Sequence, residues 1–438
     1  MKKIISFSFI TILAAVLLFI YYGSGLHVEV PAEKESTLTL EQKITRGKAV
    51  AYEGDCLACH TTEGGADYIG GLEFETPFGP LYSTNITQDK QYGIGNYSRE
   101  DFYHAVKYGY SKNSGNLYPA MPYTSYRKLS DEDMDALWAY MKTINGIPVK
   151  NIDNNIIFPA NIRFTLGAWN QVFFDDTDFK EDVSKSDQWN EGKYLVEASG
   201  HCGECHTPRN LAYAMKTEQA LEGQVLEGWN AVSITPEALK KNGWTLSSLT
   251  DFFETGNSDQ GATFGGMKLV IQESLSHLTP AQRLAMSVYL LDMKPGEIDA
   301  SLTPPRVYLS AQQKSDKGYN TYAAYCSGCH GADGLGKPNA VVALNKNSIF
   351  KDDSAFNAIA VVLRGLPKQQ ESLVKGSVAM TSFTDSISDK DVANLVNFAN
   401  TTWGNKTSSE ITASEVKEVR EQLNEDGYLN HMGVKVHN

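Results

Sequence analysis

The sequence predicts a mainly α-helical chain: three tandem copies of one small domain behind an N-terminal hydrophobic helix. Three observations carry that prediction. A five-residue motif, Cys-x-x-Cys-His, recurs at Cys56–His60, Cys202–His206 and Cys326–His330. Each copy follows a helical stretch with a glycine inside it. Each is followed, after variable loops, by a capped amphipathic helix. Self-similarity of this kind marks a repeated structural unit. A chain of 438 residues has room for about three domains. Motif spacings of 146 and 124 residues agree with that count.

The motif itself is the attachment signature of c-type haem. Two thiols three residues apart on a short turn can reach both vinyl groups along one porphyrin edge. The next residue then sets an imidazole under the iron as proximal ligand. The cofactor-binding cysteines are therefore Cys56, Cys59, Cys202, Cys205, Cys326 and Cys329, and the proximal ligands His60, His206 and His330. A zinc knuckle or a thiol redox pair is the competing reading of any C-x-x-C. Zinc would want a second ligand cluster, yet all six cysteines already sit in a Cys-x-x-Cys-His. Three covalently bound c-type haems are expected.

Taken in order, the chain opens with Lys2 and Lys3 before nineteen uncharged residues, Ile4 to Tyr22. A secretory h-region is shorter, about 7–15 residues, and ends at small residues. This run lacks a good cleavage site and approaches the roughly 20 residues needed to span a bilayer. It favours a retained anchor over a cleaved signal, with the lysines inside and the rest outside. Residues 1–25 are thus anchor or signal peptide, and Pro31–Thr39 reads as a polar linker. Domain 1 is expected over 40–147, an aromatic-rich linker over 148–186, and domain 2 over 187–295. After a join running from Lys294 to Pro305, domain 3 spans 306–404, and a charged tail occupies 405–438.

Within each unit the helix before the motif carries Gly47, Gly192 or Gly318, nine, ten and eight residues ahead of the first cysteine. A mid-helix glycine costs about 1 kcal/mol against alanine. Three at equivalent places predict close helix–helix approach. Each unit closes on a helix with a capping residue and Asp or Gln three positions on: Ser130 with Asp133, Thr279 with Gln282, Ser388 with Asp391. Pro280 stands at the first helical position of the second. The linker holds Phe158, Phe164, Trp169, Phe173 and Phe174. They read as inter-domain packing or, more sharply, as a docking surface for a partner or membrane. In the tail a helix is expected from Ser414 to Asn424.

A second axial ligand decides between electron transfer and open-site chemistry. Methionine sulfur is the usual closing ligand in cytochromes c, and it raises the potential. Met121, Met267 and Met380 lie in loops of Pro, Gly or small residues, eight to twelve positions before the terminal helices. They follow their proximal histidines by 61, 61 and 50 residues. Core filling is the ordinary role of a methionine, but it explains no such register. His104, His201 and His277 read as structural. Each proximal imidazole should donate its other ring nitrogen to a carbonyl, with Pro208 a reasonable acceptor beside His206. With His and Met on each iron, the units read as class I-type cytochrome c domains.

The net charge of −13 speaks against nucleic acid and against an anionic lipid surface as main partner. The glycines Gly331, Gly334 and Gly336 follow a haem motif rather than a strand, so they are no dinucleotide fingerprint. No catalytic residues stand out.

Several stretches resemble the triheme cytochrome c subunit of membrane-bound quinone-dependent dehydrogenases. They are Tyr82-Ser83-Thr84-Asn85-Ile86-Thr87, Gly93-Ile94-Gly95, Asp101-Phe102, Phe158-Pro159, Gly167-Ala168-Trp169-Asn170 and Thr207-Pro208-Arg209-Asn210. The likeness runs from about residue 40 to 404. It implies an electron-transfer subunit, not catalytic alone, serving a dehydrogenase of alcohols, sugars or sugar acids and passing electrons to ubiquinone. Flavin or pyrroloquinoline quinone would sit in the catalytic partner. The implied location is the periplasmic side of the cytoplasmic membrane. Alternatives are a carrier for a molybdenum hydroxylase or terminal oxidase, or a haem peroxidase, which needs one iron without methionine.

Overall fold

Helix starts fall where the caps place them. The structure, a computed structural model, describes residues 2–33, 37–62, 64–294, 308–337, 340–366, 379–404, 406 and 410–429, with side chains from residue 10 onward. Most of the join expected from Lys294 to Pro305 lies outside the described residues. Mainly helical architecture is what the sequence predicts. The strands form only short two-stranded antiparallel pairs. Chain contacts divide the molecule into two compact units: residues 1–185 with 193–204, and residues 186–192 with 205–438.

In the first unit, helix α1 runs over Lys2–Tyr22 and α2 over Leu40–Glu53. Helix α3 spans Arg99–Tyr108, α4 Asp131–Met141 and α5 Leu166–Phe173. Among the described residues no helix is long and apolar enough to cross a membrane. Thr39 caps α2 and Ser130 caps α4 by accepting from the backbone N–H three residues on. These two helices cross at Gly47, where a Cβ would stand 1.9 Å from Ala136 O. No side chain fits there, so the glycine sets how closely the helices approach. Val50, Phe102, Tyr103, Met134 and Leu137 fill the core beside this crossing. Arg46, one residue before the crossing, donates to Glu53 and Asp133, and those carboxylates keep its guanidinium charged against burial. A second close crossing joins α1 to α5, where a Cβ on Gly167 would lie 2.1 Å from Ile20 O. Of the linker aromatics, Phe158, Phe164 and Phe173 are exposed, while Phe174 packs on Tyr123.

The second unit repeats the construction. Helix α6 covers Asp187–Tyr194, its residues up to Gly192 belonging here; α7 covers Leu246–Thr255 and α8 Pro280–Leu290. Helix α9 is Lys317–Tyr325, α10 Phe356–Arg364, α11 Asp389–Thr402 and α12 Ala413–Glu425. A Cβ on Gly192 would stand 2.0 Å from Ala285 O, and one on Gly318 2.1 Å from Asn394 O. Four residues beyond each contacted carbonyl stands an aromatic side chain, Tyr289 or Phe398, as Tyr140 does in the first unit. Val416 and Leu423 on α12 are fully buried in the core that Leu363, Val396 and Phe398 share.

Helices α3, α7 and α10 end alike, each at a glycine with positive φ: Gly109 at 64°, Gly256 at 72° and Gly365 at 69°. An L side chain pays about 1–2 kcal/mol in the left-handed region, which glycine escapes. The chain turns there toward each expected methionine.

Candidate haem centres

The three proximal histidines sit in one local arrangement. His60 Nδ1 bonds Thr84 O at 2.6 Å, His206 Nδ1 bonds Val232 O at 2.7 Å, and His330 Nδ1 bonds Val342 O at 3.0 Å. A carbonyl can only accept, so Nδ1 carries the proton and Nε2 keeps the lone pair that an iron needs. Burial also holds all three imidazoles below the usual histidine range, against the pull of those carbonyls. Each ring is thus neutral, oriented and ready to ligate.

The acceptor beside His206 is a correction. Pro208 O instead accepts the N–H of Lys216. A carbonyl two residues on is held in its own turn, whereas Nδ1 points to a segment returning 26 residues later. What brings that segment back has no fixed place in the sequence. Gly70, Gly223 and Gly336 donate their N–H to the carbonyls of His60, His206 and His330 at 2.7, 2.7 and 2.8 Å. Their φ values are 75°, 90° and 66°. A Cβ at these positions would come within 2.4 to 2.6 Å of Thr84 C, Ala231 O and Val341 O, in or beside the acceptor segments. Their distance from the histidine varies from copy to copy, which hides them; the shared feature is a glycine in the loop after each motif.

The cysteines argue against a thiol redox pair. Burial, helped by the charge of Asp55, pushes Cys56 up to about 12. Burial with Cys329 nearby pushes Cys326 up to about 11. A reactive C-x-x-C thiol is shifted the other way.

The methionine side is built less uniformly. Leu117 N–H returns to Gly109 O at 2.7 Å and Thr263 N–H to Gly256 O at 2.8 Å, and Met121 and Met267 each follow four residues later. Met121 packs with Cys56 on the core around Val50. Met267 opens the helix Met267–Glu273 and is half-buried. Met380 is held differently: its main chain exchanges two hydrogen bonds with Leu366, each 2.9 Å. Here the structure brings the ligands together, since Cys326, His330 and Met380 line one cavity of about 820 Å³ including its open mouth. Its walls are almost wholly apolar, with Tyr322, Leu395 and Trp403 among them. A flat, greasy macrocycle tethered by thioether fits this apolar lining. Of the other described histidines, His104 Nε2 meets Val28 O at 2.9 Å, and His201 stands edge-on to Tyr126.

Such sites define a c-type cytochrome, with covalently bound haem as its working group. Comparison with known proteins agrees. The family described as cytochrome c matches residues 44–145, and that described as cytochrome c oxidase, cbb3-type, subunit III matches residues 313–398. The gluconate 2-dehydrogenase cytochrome c subunit of Pantoea cypripedii is 35% identical over 420 residues, 90% of this chain and 93% of the relative. The cytochrome c subunit of the quinone alcohol dehydrogenase of Gluconacetobacter polyoxogenes is 34% identical over 395 residues, 86% and 84% of the two chains. A nicotinate dehydrogenase subunit of Pseudomonas putida is 36% identical over 360 residues, 80% of this chain but 30% of that protein. The chain belongs to the family of dehydrogenase cytochrome c subunits. Its work is to accept electrons from a dehydrogenase.

Proposed function

We propose that the chain is a three-haem wire between a catalytic subunit oxidising CH–OH groups and ubiquinone in the membrane. The observation that carries this reading is the threefold histidine arrangement, each copy followed in the sequence by a methionine in a loop. When bound, each haem supplies a one-electron couple. Cys56 and Cys59, Cys202 and Cys205, and Cys326 and Cys329 tether the three groups. His60, His206 and His330 hold them from one side; Met121, Met267 and Met380 close the other. A closed iron carries electrons and does not take up peroxide or oxygen. The units are class I-type domains over 40–147, 187–295 and 306–404.

The chain is exported, with its N-terminal apolar run as anchor or signal and the haems on the periplasmic side of the cytoplasmic membrane. Lys2, Lys3 and the apolar run that follows support this orientation. The catalytic partner holds flavin or pyrroloquinoline quinone, as the family resemblance implies; the gluconate and quinone alcohol dehydrogenase relatives support the dehydrogenase itself. A second reading keeps the wire and changes the partner to a dehydrogenase of nicotinate-like heterocycles, favoured by the third relative.

Purifying the native complex from membranes tests both. The expected result is three haems per chain by pyridine haemochrome, a co-purifying sugar-acid or alcohol dehydrogenase, and substrate-dependent reduction of a short-chain ubiquinone. Fewer than three haems, or a high-spin ferric component, would sink the wire. A different co-purifying enzyme would replace the partner alone.

A further inference from the structure

The third cavity is not built by the third domain alone. Ala262, Thr263 and Phe264 line it together with Cys326, His330 and Met380. Those first three residues belong to the second copy of the repeat, where they lead through Gly265 and Gly266 into Met267. Both copies contribute here from within one compact unit.

The segment is pinned from two sides. On one side, a short hairpin pairs Asn257–Ser258 with Gly261–Ala262 and carries Gln260 in its turn. Gln260 O accepts the N–H of Ser348 at 2.7 Å, and its Oε1 accepts from Lys351 Nζ at 2.9 Å. A Cβ on Gly261 would stand 3.2 Å from Asn347 Oδ1, and Asn347 lines the cavity as well. On the other side, the Phe264 ring packs on Trp229 with 4.9 Å between ring centres. Trp229 itself lies against the core of the third domain. The next residue, Asn230, exchanges hydrogen bonds of 2.9 and 2.7 Å with Asn357 at the start of α10. That helix supplies Ala358, Val361 and Val362 to the same cavity. Gln260, Thr263 and Asn357 are all buried, and the bonds named here satisfy the first and last of them across the contact.

We infer that the methionine loop of the second domain completes the third haem pocket, with Phe264 as the apolar cover that keeps water from the third haem. The inference rests on the haem reading above, with Met267 and Met380 as ligands. Three residue steps span about 11 Å at most, so Met267 is tethered within that reach of the third pocket's wall. Ferric haem carries one positive charge more than ferrous and gains more from contact with water, so an apolar cover favours reduction. The second domain thereby helps to set the potential of the third.

The test is a spectroelectrochemical titration of the full chain, with each midpoint assigned through Met267→His and Met380→His. Phe264→Ala admits water and should lower the third midpoint, changing its oxidised-to-reduced ratio about tenfold, or about 59 mV for one electron, while the second moves by less. Phe264→Leu keeps an apolar cover and should retain most of the third midpoint. Gln260→Ala removes one pin of the hairpin and should lower the third midpoint by less than Phe264→Ala does. A second midpoint that shifts while the third stays put would overturn the inference, because the loop would then serve its own domain alone. So would a third midpoint unmoved in every variant, even with melting temperature lowered, since packing alone would then explain the contacts. A fall as large in Phe264→Leu as in Phe264→Ala would overturn it too, because apolar cover would not be the agent. Loss of methionine-ligated spectra in the parent chain would instead overturn the ligand reading beneath it. Should Phe264→Ala fail to fold, Gln260→Ala still decides.

Discussion

The two faces of each proposed haem centre are built by different rules. On the histidine face one device is used three times: Nδ1 to a returning carbonyl, and a left-handed glycine closing on the histidine carbonyl. On the methionine face the device changes. Met121 and Met267 follow a turn closed back onto a glycine carbonyl, whereas Met380 is bonded directly to Leu366. The shorter third spacing, 50 residues against 61 and 61, arises before that face, since Gly365 follows His330 by 35 residues whereas Gly109 follows His60 by 49 and Gly256 follows His206 by 50. The lesson concerns what each face must do. The histidine face has to fix a tautomer and a ring plane, and small errors there lose the ligand. In the proposed sites the methionine face would set the potential, and it can vary between copies without losing the haem.

The largest effect should come from breaking the uniform face. Gly336→Ala puts a Cβ 2.4 Å from Val341 O at a φ of 66°. Left-handed strain alone is worth about 1–2 kcal/mol, and the backbone clash adds to it, since the obstacle cannot rotate away. Holoprotein melting should fall by several degrees, with haem loss confined to one site. Gly70→Ala and Gly223→Ala should behave alike. If the three differ as widely as the methionine variants do, the histidine face is not one device.

Breaking the variable face should cost less stability and more potential. Met267→Ala and Met380→Ala should each leave the thioethers intact, open one iron to a high-spin state and lower one midpoint. The weak near-infrared sulfur-to-iron band should lose about a third of its intensity in either variant, one copy in three. A variant with an unchanged set of midpoints would remove that methionine from the ligand set. Melting temperature checks the contrast, because it should move less than in the glycine series.

How much of this is legible in the sequence follows the same division. The motif cysteines and histidines are readable because haem attachment imposes a fixed local spacing. Gly47, Gly192 and Gly318 are readable because helix periodicity makes their cost visible and their recurrence meaningful. Caps at Ser130, Thr279 and Ser388 are readable for the same local reason. The acceptors Thr84, Val232 and Val342 are not, since they offer only a main-chain carbonyl and any residue type can supply one. Sequence proximity favours Pro208 where the fold uses a returning loop. The tail helix is readable but its packing is not: α12 is polar along most of its length, and two side chains, Val416 and Leu423, carry its burial.

The smallest expected effect joins the tail to the methionine face. Thr412 caps α12 through Glu415, whose carboxylate is held below the usual range chiefly by the backbone N–H of Thr412. A depressed carboxylate stabilises the fold above its ordinary titration range, and that contribution fades as pH falls through the folded value. Acid should therefore loosen α12 slightly, and Thr412→Ala should do so at neutral pH for about 1 kcal/mol. Because Arg420 on α12 donates to Thr384 O and Ile387 O, just after Met380, the disturbance should reach the third methionine loop. Hydrogen exchange around Thr384 should rise while that around Val342 stays unchanged. Equal change at both positions would mean that the tail supports the whole third domain and not one face of it.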